Sequence, residues 1–262
     1  RLLSRGLGDV YKRQLITGAS RGIGRSILEA FSDENSFLIG TATSKVGLDT
    51  IQNFLSENKI EGKALILDLG KEESINNFFT TLKDNDLYPD VLINNAGITR
   101  DNIFLRMKDE EWSEVLDIHL NSQFKIIKNL IRPMLKKKYG RIVNLSSAAA
   151  AIGNKGQANY VAAKSGIEAM SKTLAREFGL KNITINCVAP GFIETDMTKS
   201  LEENYKEEIA SQIPLQRFGR PEEVADLIKF LTSSEADYIT GQTIHINGCL
   251  LYTSPSPRDR SL

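Results

Sequence analysis

The sequence has little of what would indicate a secreted, membrane-bound or nucleic-acid-binding protein. It holds two cysteines, Cys187 and Cys249, and two thiols do not make the disulfide framework of a small secreted domain. Its 33 basic side chains balance 33 acidic ones, so no net charge favours nucleic acid or a membrane surface. No apolar run approaches the ~20 residues that span a bilayer, and no apolar leader with a cleavage site opens the chain. We therefore expect a cytoplasmic protein, with Cys187 as a buried thiol in a strand.

Both ends of the sequence differ in composition from the rest. Residues 1–14 show no strand or helix period, and residues 249–262 turn abruptly into a mixture of serine, proline and arginine. They are similar to translated sequencing-adapter sequence, and a genuine disordered tail is the alternative. We expect one domain over residues 15–248, which is a suitable length for a single α/β domain.

Short apolar segments alternate with segments of helical spacing through this domain. The apolar segments lack strict polar alternation, as do parallel strands that are covered on both faces. The alternation predicts a single doubly wound Rossmann-type α/β domain, with a seven-stranded, mainly parallel sheet and helices on both faces. Ligands bind such sheets beyond the carboxyl ends of the strands. The predicted strands are 15–17, 37–42, 64–68, 91–94, 142–145, 184–188 and 243–246, and the predicted helices are 24–31, 48–58, 72–84, 110–138, 158–178 and 222–232.

A glycine-rich turn follows the first predicted strand. Gly18, Gly22 and Gly24 let the backbone turn sharply and approach a pyrophosphate, and the helix that starts there directs free N–H groups at the phosphates. This spacing differs from G-x-G-x-x-G but serves the same purpose, and its position at the first strand–helix turn strengthens the interpretation. A plain strand–turn–helix is the alternative. We predict a dinucleotide site here.

The end of the second predicted strand bears on which dinucleotide is bound. Residues 40–45 include no acid to hold a ribose 2′-hydroxyl, as an NAD site would. Arg21 lies beside the glycine turn, and a cation with neighbouring hydroxyls suits a 2′-phosphate. We predict NADPH, the alternative being that Arg21 and Lys45 are merely solvated. Asp68 is placed to accept from the adenine amino group, and Gly97 after the fourth strand allows close approach to the cofactor.

A tyrosine and a lysine four residues apart carry the predicted chemistry. Tyr160 and Lys164 share one face of a predicted helix. A phenol near pKa 10 is a poor acid–base group at pH 7, but a nearby ammonium and an oxidised nicotinamide both favour the phenolate and draw its pKa toward working pH. Tyr160 can then give a proton to a developing alkoxide. Ser147, after the fifth strand, is placed to donate a hydrogen bond to the same oxygen.

Taken together, these motifs resemble the short-chain dehydrogenase/reductase family over residues 15–248. The matching positions are 17–24, 94–97, Ser147, Tyr160 with Lys164, and Pro190 with Gly191. The longer stretches 97–112, 153–166, 189–198 and 238–248 are similar to bacterial 3-oxoacyl-acyl-carrier-protein reductases of fatty acid synthesis. The resemblance implies NADPH-dependent reduction of a 3-oxoacyl thioester.

The resemblance also implies roles for individual residues. Tyr160 is the proton donor, Ser147 orients and polarises the ketone, and Lys164 binds the nicotinamide ribose and relays protons. The implied dinucleotide site comprises Gly18, Ser20, Arg21, Gly22, Ile23 and Gly24 at the phosphates, Thr43 at the adenosine ribose, Asp68, Leu69 and Asn95 on the adenosine side, Ile193 and Thr195 at the carboxamide, and also Ala96, Gly97, Pro190 and Gly191. No metal site is predicted.

One position departs from the family pattern. The family's fourth catalytic residue is an asparagine that holds a water in the proton chain, and His119 stands in its place. Imidazole also bonds water, so we predict His119 as the fourth catalytic residue, with a helix histidine bonded to backbone as the alternative. Histidine also occurs here in some hydroxyacyl-CoA dehydrogenases that resemble the family.

The resemblance implies partners as well. Basic residues at Lys138 and Lys181 dock the acidic acyl carrier protein in similar reductases, the alternative being a solvated helix end. We expect a homotetramer in which helices 110–138 and 158–178 pair between subunits, and a segment around 192–212 that closes over the acyl chain. Two other functions stay open: an acetoacetyl-CoA reductase or 3-hydroxyacyl-CoA dehydrogenase of the same fold, and a non-catalytic dinucleotide-binding subunit.

Overall fold

The computed structural model describes residues 12–32, 36–195, 198 and 202–251. Within these residues seven strands form one sheet in the order β3-β2-β1-β4-β5-β6-β7, and every neighbouring pair is parallel. The doubly wound α/β prediction is confirmed, and the sheet is parallel throughout rather than mainly so. The strands are β1 (Lys12–Ile16), β2 (Ser36–Ala42), β3 (Gly62–Ile66), β4 (Val91–Asn94), β5 (Gly140–Leu145), β6 (Ile183–Pro190) and β7 (Thr243–Ile246).

Helices cover both faces of this sheet. The described α-helices are α1 (Gly22–Ala30), α2 (Lys45–Glu57), α3 (Glu72–Asp84), α4 (Asp109–Leu116), α5 (Ser122–Lys137), α6 (Ala149–Ile152), α7 (Ala158–Phe178), α8 (Glu203–Ser211) and α9 (Pro221–Leu231). A π-helical turn, Asp117–Asn121, joins α4 to α5. Not one of the helices in the described part of the chain is long and apolar enough to cross a membrane.

Two apolar cores result, one on each face of the sheet. Side chains alternate between faces along a strand, so Ile16 packs with α1, α2 and α9 while its neighbour Leu15 packs with α3, α5 and α7. Both are fully buried, and each such side chain stabilises the fold by about 1.5–3 kcal/mol. Cys187, also fully buried in β6, confirms the prediction of a buried strand thiol.

The boundaries of most elements agree with the sequence prediction. Strands 91–94 and 243–246 and helices 72–84 and 158–178 begin and end where predicted. The first strand was predicted too short: it begins at Lys12, because its backbone pairs with Ser36 and does not need an apolar side chain to do so. The predicted helix 110–138 is wrong in detail, since the π-helical turn divides it. The predicted tails lie mostly outside the described residues, as does part of segment 192–212.

Because the strands are parallel, their carboxyl ends share one edge of the sheet. The strand order reverses between β1 and β4, which is the switch point at which ligands bind in open α/β sheets. The glycine turn after β1, residues 95–97 after β4, Ser147 after β5 and Gly191 after β6 all lie along this edge. The catalytic helix α7 packs against β6 beside them.

Candidate functional site

The glycine turn after β1 is bonded tightly to the loop after β4. A Cβ on Gly24 would lie 2.0 Å from the carbonyl oxygen of Gly18, so only glycine fits there. The side-chain amide of Asn95 donates to the carbonyl oxygens of Thr17 at 2.9 Å and Gly18 at 3.0 Å. In return the Thr17 hydroxyl accepts from the backbone N–H groups of Asn95 and Ala96. Asn95 therefore shapes the phosphate turn as well as bordering it.

The segment after β6 lies across from this turn. A Cβ placed on Gly22 would lie 3.7 Å from the methyl group of Thr195, which is van der Waals distance, so the two loops approach each other here. Ile193 pairs with Gly219 in an isolated parallel bridge, and Gly191 donates to Ile246 at 2.9 Å. These bonds fix the far wall of the cleft. The glycine turn, at the positive end of α1, has the backbone chemistry that suits the pyrophosphate of a dinucleotide.

The adenosine side presents hydroxyls and cations. Arg21 and Lys45 are exposed beside the first turns of α1 and α2, and Thr43 lies exposed between β2 and α2. Ser44 caps α2 by accepting from the Gly47 N–H at 3.2 Å. No side chain within residues 40–45 is acidic, so the chemistry of this corner suits a phosphate.

Asp68 lies beyond the strand that was predicted to end at it. β3 ends at Ile66, and Asp68 stands in the following turn, where its carboxylate accepts from the Gly70 N–H at 3.1 Å and pairs with Lys71 at 3.0 Å. Part of its hydrogen-bonding capacity is thus used within the turn. Leu69 beside it is buried.

Tyr160 and Lys164 lie one turn apart on α7, as predicted. The Lys164 amine is 5.5 Å from the centre of the Tyr160 ring and donates to the Leu145 carbonyl at 2.5 Å. Ser147 is two residues beyond Leu145, and its oxygen accepts from the Ala149 N–H at 3.2 Å. The serine hydroxyl is also hydrogen-bonded to the phenol. The structure therefore brings the three predicted catalytic side chains together.

Burial dominates the electrostatics of this group. Burial raises the pKa of Tyr160, while its hydrogen bond with Ser147 lowers it and the charge of Asp101 raises it. Burial lowers the pKa of Lys164 to about 8, against the raising effects of Cys187 and Glu168. The expected fall in the phenol's pKa is therefore not found in the chain alone, because desolvation outweighs the hydrogen bond with Ser147. At neutral pH the phenol keeps its proton and the amine is mostly charged, which is the state needed to protonate a reduced carbonyl oxygen.

His119 lies in the π-helical turn and is buried beside the phenol. Its ring meets the Tyr160 ring edge-on, with the centres 5.2 Å apart. Its Nε2 is 2.7 Å from the Ile98 carbonyl oxygen and 3.1 Å from the Ile98 nitrogen. Burial, and then the charge of Lys164, lower its pKa to about 3. A Cβ on Gly97 would lie 2.1 Å from the imidazole Cε1, so any residue other than glycine at position 97 would overlap the ring.

The hydrogen bonds of His119 agree with the alternative of a backbone-bonded histidine. The shorter contact indicates that Nε2–H donates to the Ile98 carbonyl, which leaves Nδ1 as an acceptor. Within the described residues Nδ1 has no protein partner, although it is buried. A neutral ring with a pKa near 3 donates from Nε2 and accepts at Nδ1 but does not take up a second proton at pH 7. Whether Nδ1 holds a water in a relay stays a prediction.

Three residues near the phenol were not found by sequence reasoning. Asn159 is fully buried, donates to the carbonyls of Arg100 and Glu111 at 3.0 Å each, and accepts from the Tyr160 N–H at 2.8 Å. Asp101 accepts from Gln157 at 2.9 Å at the rim of the site. The third is Glu168, which raises the pKa of Lys164. The only signal in the sequence was an asparagine in the first turn of a predicted helix. The contacts of the other two residues join segments that are distant in the sequence, and such contacts leave no local pattern.

The predicted carrier-protein lysines lie at the opposite edge of the sheet. Lys138 and Lys181 are exposed just before β5 and β6, and Gly140 donates to the Asn182 carbonyl between them, so the two lysines are neighbours. Lys137 is paired with Asp90 at 2.7 Å. The structure brings the two lysines together but does not bring them to the mouth of their own chain's site.

The neutral form of His119 predicts a particular dependence of stability on pH. Between about pH 3 and 6.5 the unfolded chain binds a proton that the folded chain rejects, so the free energy of unfolding falls as the pH falls through this range. In His119→Asn the amide supplies both a donor and an acceptor for Ile98 without titrating. Between pH 7 and about pH 4.5 the free energy of unfolding falls in both proteins. We expect the fall to be about 2–3 kcal/mol smaller in the variant than in the parent. Urea unfolding at both pH values measures this.

His245, the chain's other histidine, is exposed on β7 and gives a matched control. His245→Asn should leave the acid sensitivity unchanged. Equal acid sensitivity in His119→Asn and the parent would show that the imidazole is protonated in the folded state as readily as in the unfolded one.

Comparison with known proteins identifies the family of this chain. Residues 18–250 match the family model described as enoyl-(acyl carrier protein) reductase. The chain is 47% identical over 237 residues to the 3-oxoacyl-[acyl-carrier-protein] reductase FabG of Escherichia coli strain K12, covering 90% of this chain and 96% of that protein. It is 46% identical over 239 residues to the Haemophilus influenzae reductase of the same name, covering 91% and 98%, and 46% identical over 237 residues to that of Pseudomonas aeruginosa, covering 90% and 96%. The chain therefore belongs to the short-chain dehydrogenase/reductase family of oxidoreductases, which use a nicotinamide dinucleotide.

Proposed function

We propose that this protein is a cytoplasmic, NADPH-dependent 3-oxoacyl-acyl-carrier-protein reductase of fatty acid biosynthesis. The observation that carries the proposal is the convergence of Tyr160, Lys164 and Ser147 beside the glycine turn. The names of the similar reductases support the substrate class.

The three side chains divide the work of the reduction. A bound reduced nicotinamide supplies a hydride to the 3-keto carbon. Tyr160 gives its proton to the oxygen as negative charge develops there. The Ser147 hydroxyl, which accepts from Ala149 and interacts with the phenol, is placed to donate its own proton to the same oxygen when the substrate is bound. Lys164 binds the nicotinamide ribose, and its charge stabilises the phenolate left by the proton transfer.

His119 fits the relay as a holder of water rather than as a proton carrier. Its Nδ1 is a buried acceptor without a protein partner in the described chain, and its ring, with a pKa near 3, does not take up a second proton at neutral pH. A water donating to Nδ1 would satisfy this atom and would lie beside Tyr160 and Lys164. We therefore propose that His119 takes the place of the family's asparagine by bonding Ile98 on one side and water on the other.

Removing the phenolic hydroxyl tests the reaction directly. Tyr160→Phe deletes the proton donor but keeps the ring that packs against His119. We expect NADPH binding to be retained and kcat to fall by about 10²–10⁴-fold, as for loss of a general acid. NADPH fluorescence measures binding, and absorbance loss with a 3-oxoacyl-carrier-protein measures turnover. Near-normal turnover would refute the assigned role.

The same assay separates the alternative functions. Preference for acetoacetyl-CoA over the carrier-protein thioester would favour a CoA-dependent enzyme of the same fold. Binding of NADPH without turnover of either thioester would indicate a non-catalytic subunit.

We propose NADPH rather than NADH on the chemistry of the adenosine corner. Arg21 is exposed at the start of α1, and Thr43 and Lys45 lie near the start of α2. A 2′-phosphate there would gain a cation, hydroxyls and the positive end of α2. The dinucleotide contacts proposed for the remaining glycine-turn, adenosine-side and carboxamide-side residues are those implied by the family resemblance.

Removing the cation at Arg21 tests this preference. In Arg21→Gln we expect KM for NADPH to rise by about tenfold or more while KM for NADH changes little, since only the phosphate needs the charge. Steady-state kinetics with both cofactors measure the ratio. Arg25→Gln, on the same helix and bonded to Glu29, is the control and should leave the ratio unchanged. An equal rise for both cofactors in Arg21→Gln would contradict the assignment.

We propose that acyl carrier protein docks on Lys138 and Lys181, and that this docking depends on the assembly of several copies of the chain. The lysines and Ser147 lie at opposite ends of β5, a six-residue strand that spans about 20 Å. A carrier docked on one protomer would therefore serve the site of a neighbouring one. The expected homotetramer supplies such neighbours, and exposed Trp112 and Phe124 leave apolar surface on α4 and α5 for pairing.

Charge reversal tests the docking lysines. In Lys138→Glu/Lys181→Glu we expect kcat/KM for a carrier-protein thioester to fall by about tenfold at low salt, with little change for acetoacetyl-CoA. The difference should shrink as salt screens the charges. Lys59→Glu is the control, because Lys59 is also exposed and has a similar positive φ after a helix. Equal loss on both thioesters would argue against carrier docking.

A further inference from the structure

Two consecutive residues at the end of β5 hold the catalytic helix. The Leu145 carbonyl accepts from the Lys164 amine at 2.5 Å. The next residue, Ser146, donates from its hydroxyl to the Glu168 carboxylate, also at 2.5 Å. Lys164 and Glu168 are one helical turn apart and so share a face of α7. A buried amine and a carboxylate therefore lie side by side over one short stretch of backbone.

We propose that Glu168 is a positioning residue for Lys164. The Ser146 hydroxyl holds the Glu168 carboxylate in place, and this carboxylate keeps the buried amine charged, as its role at the nicotinamide requires. The importance of the charge on Lys164 for catalysis rests on the proposed function. The electrostatic coupling between Glu168 and Lys164 does not depend on that function.

The surroundings of Lys164 explain why a counter-charge is needed. The residue is 3% exposed, and burial lowers its pKa to about 8, only slightly above neutral. The amine is hydrogen-bonded to a neutral carbonyl, which does not compensate for a full charge as a carboxylate does. Without an anion nearby, burial would favour the neutral amine still further.

Glu168 is the group able to supply that anion. The groups that act on Lys164 come from three elements: Cys187 from β6, His119 from the π-helical turn, and Glu168 from α7 itself. Burial raises the pKa of the Cys187 thiol to about 11, so it is uncharged at neutral pH and cannot act as an anion. His119 is neutral with a pKa near 3. Of these groups, Glu168 remains as the source of the negative charge that raises the pKa of Lys164.

The serine has a defined part in this arrangement. Ser146 is 4% exposed, and its hydroxyl donates to the Glu168 carboxylate. This hydrogen bond holds the carboxylate in place beside the helix face of Lys164, while the amine stays directed at the Leu145 carbonyl. Glu168 acts on the amine through space.

The charge of Lys164 is measurable in the full chain without cofactor or substrate. With lysine labelled by ¹³C at Cε, the Lys164 resonance is identified by its absence in Lys164→Arg. In the parent protein it should titrate near pH 8. Glu168→Gln removes the charge and keeps an acceptor for Ser146, and we expect the midpoint to move to lower pH by about one unit. Glu168→Asp, which keeps the charge, should restore most of the shift.

Glu177→Gln is the matched control, because Glu177 is an exposed glutamate on the same helix. It should leave the midpoint in place. Should Glu168→Gln fail to fold, as judged by circular dichroism, Glu168→Met removes the same charge without leaving a polar group to satisfy. An unchanged midpoint in the folded charge-removing variant overturns the proposal.

Kinetics provide a second readout. The alkaline limb of kcat/KM should move by the same amount in Glu168→Gln, giving about a tenfold loss at about pH 9 and little loss at about pH 6.5. If kcat/KM fell by the same factor at every pH, the role of Glu168 would be merely structural, and the proposal would be overturned. If the midpoint shifts while the unsubstituted protein reduces no 3-oxoacyl thioester, the coupling stands and the proposed function fails.

Discussion

Burying one lysine amine is the constraint on which this site depends. An ammonium removed from water must be compensated, and for Lys164 the compensation comes from the Leu145 carbonyl and the neighbouring carboxylate of Glu168. The same burial keeps the proton on Tyr160 and leaves His119 neutral. The protonation states needed for reduction thus follow from one low-dielectric environment.

The sheet holds that environment together with a row of buried polar side chains. Asn94, Asn144 and Cys187 lie in register on β4, β5 and β6. Asn94 donates to Asn144, while Asn144 and the Cys187 thiol both donate to the Ser171 hydroxyl on α7. A satisfied buried network fixes one arrangement, because a shift by one residue would leave its members unpaired. The helix that carries Tyr160 is therefore registered against the strands that carry Ser147 and the cofactor loops.

Sequence patterns predicted the parts of the molecule that local chemistry determines. The glycine turn, the i and i+4 pair of Tyr160 and Lys164 and the strand–helix alternation all follow from spacing, and the structure places them as predicted. The features that the sequence did not predict depend on contacts between segments that are distant in the sequence. The bond between Ser146 and Glu168 and the raised pKa of Tyr160 both depend on how much water the folded chain excludes. The start of β1 at Lys12 was missed because backbone pairing leaves no apolar signal.

His119 shows how an imidazole fits the position at which the family resemblance predicts an asparagine. What the position must supply is a polar group that bonds the Ile98 backbone, and an imidazole does this from a ring that fits only because residue 97 is glycine. The π-helical turn adds a residue at this point of the helix, and such turns occur frequently at functional sites. Since the ring is too weak a base to hold a proton, the histidine adds no competing acid beside Tyr160. Its neutrality, rather than its basicity, makes it compatible with a phenol as the proton donor.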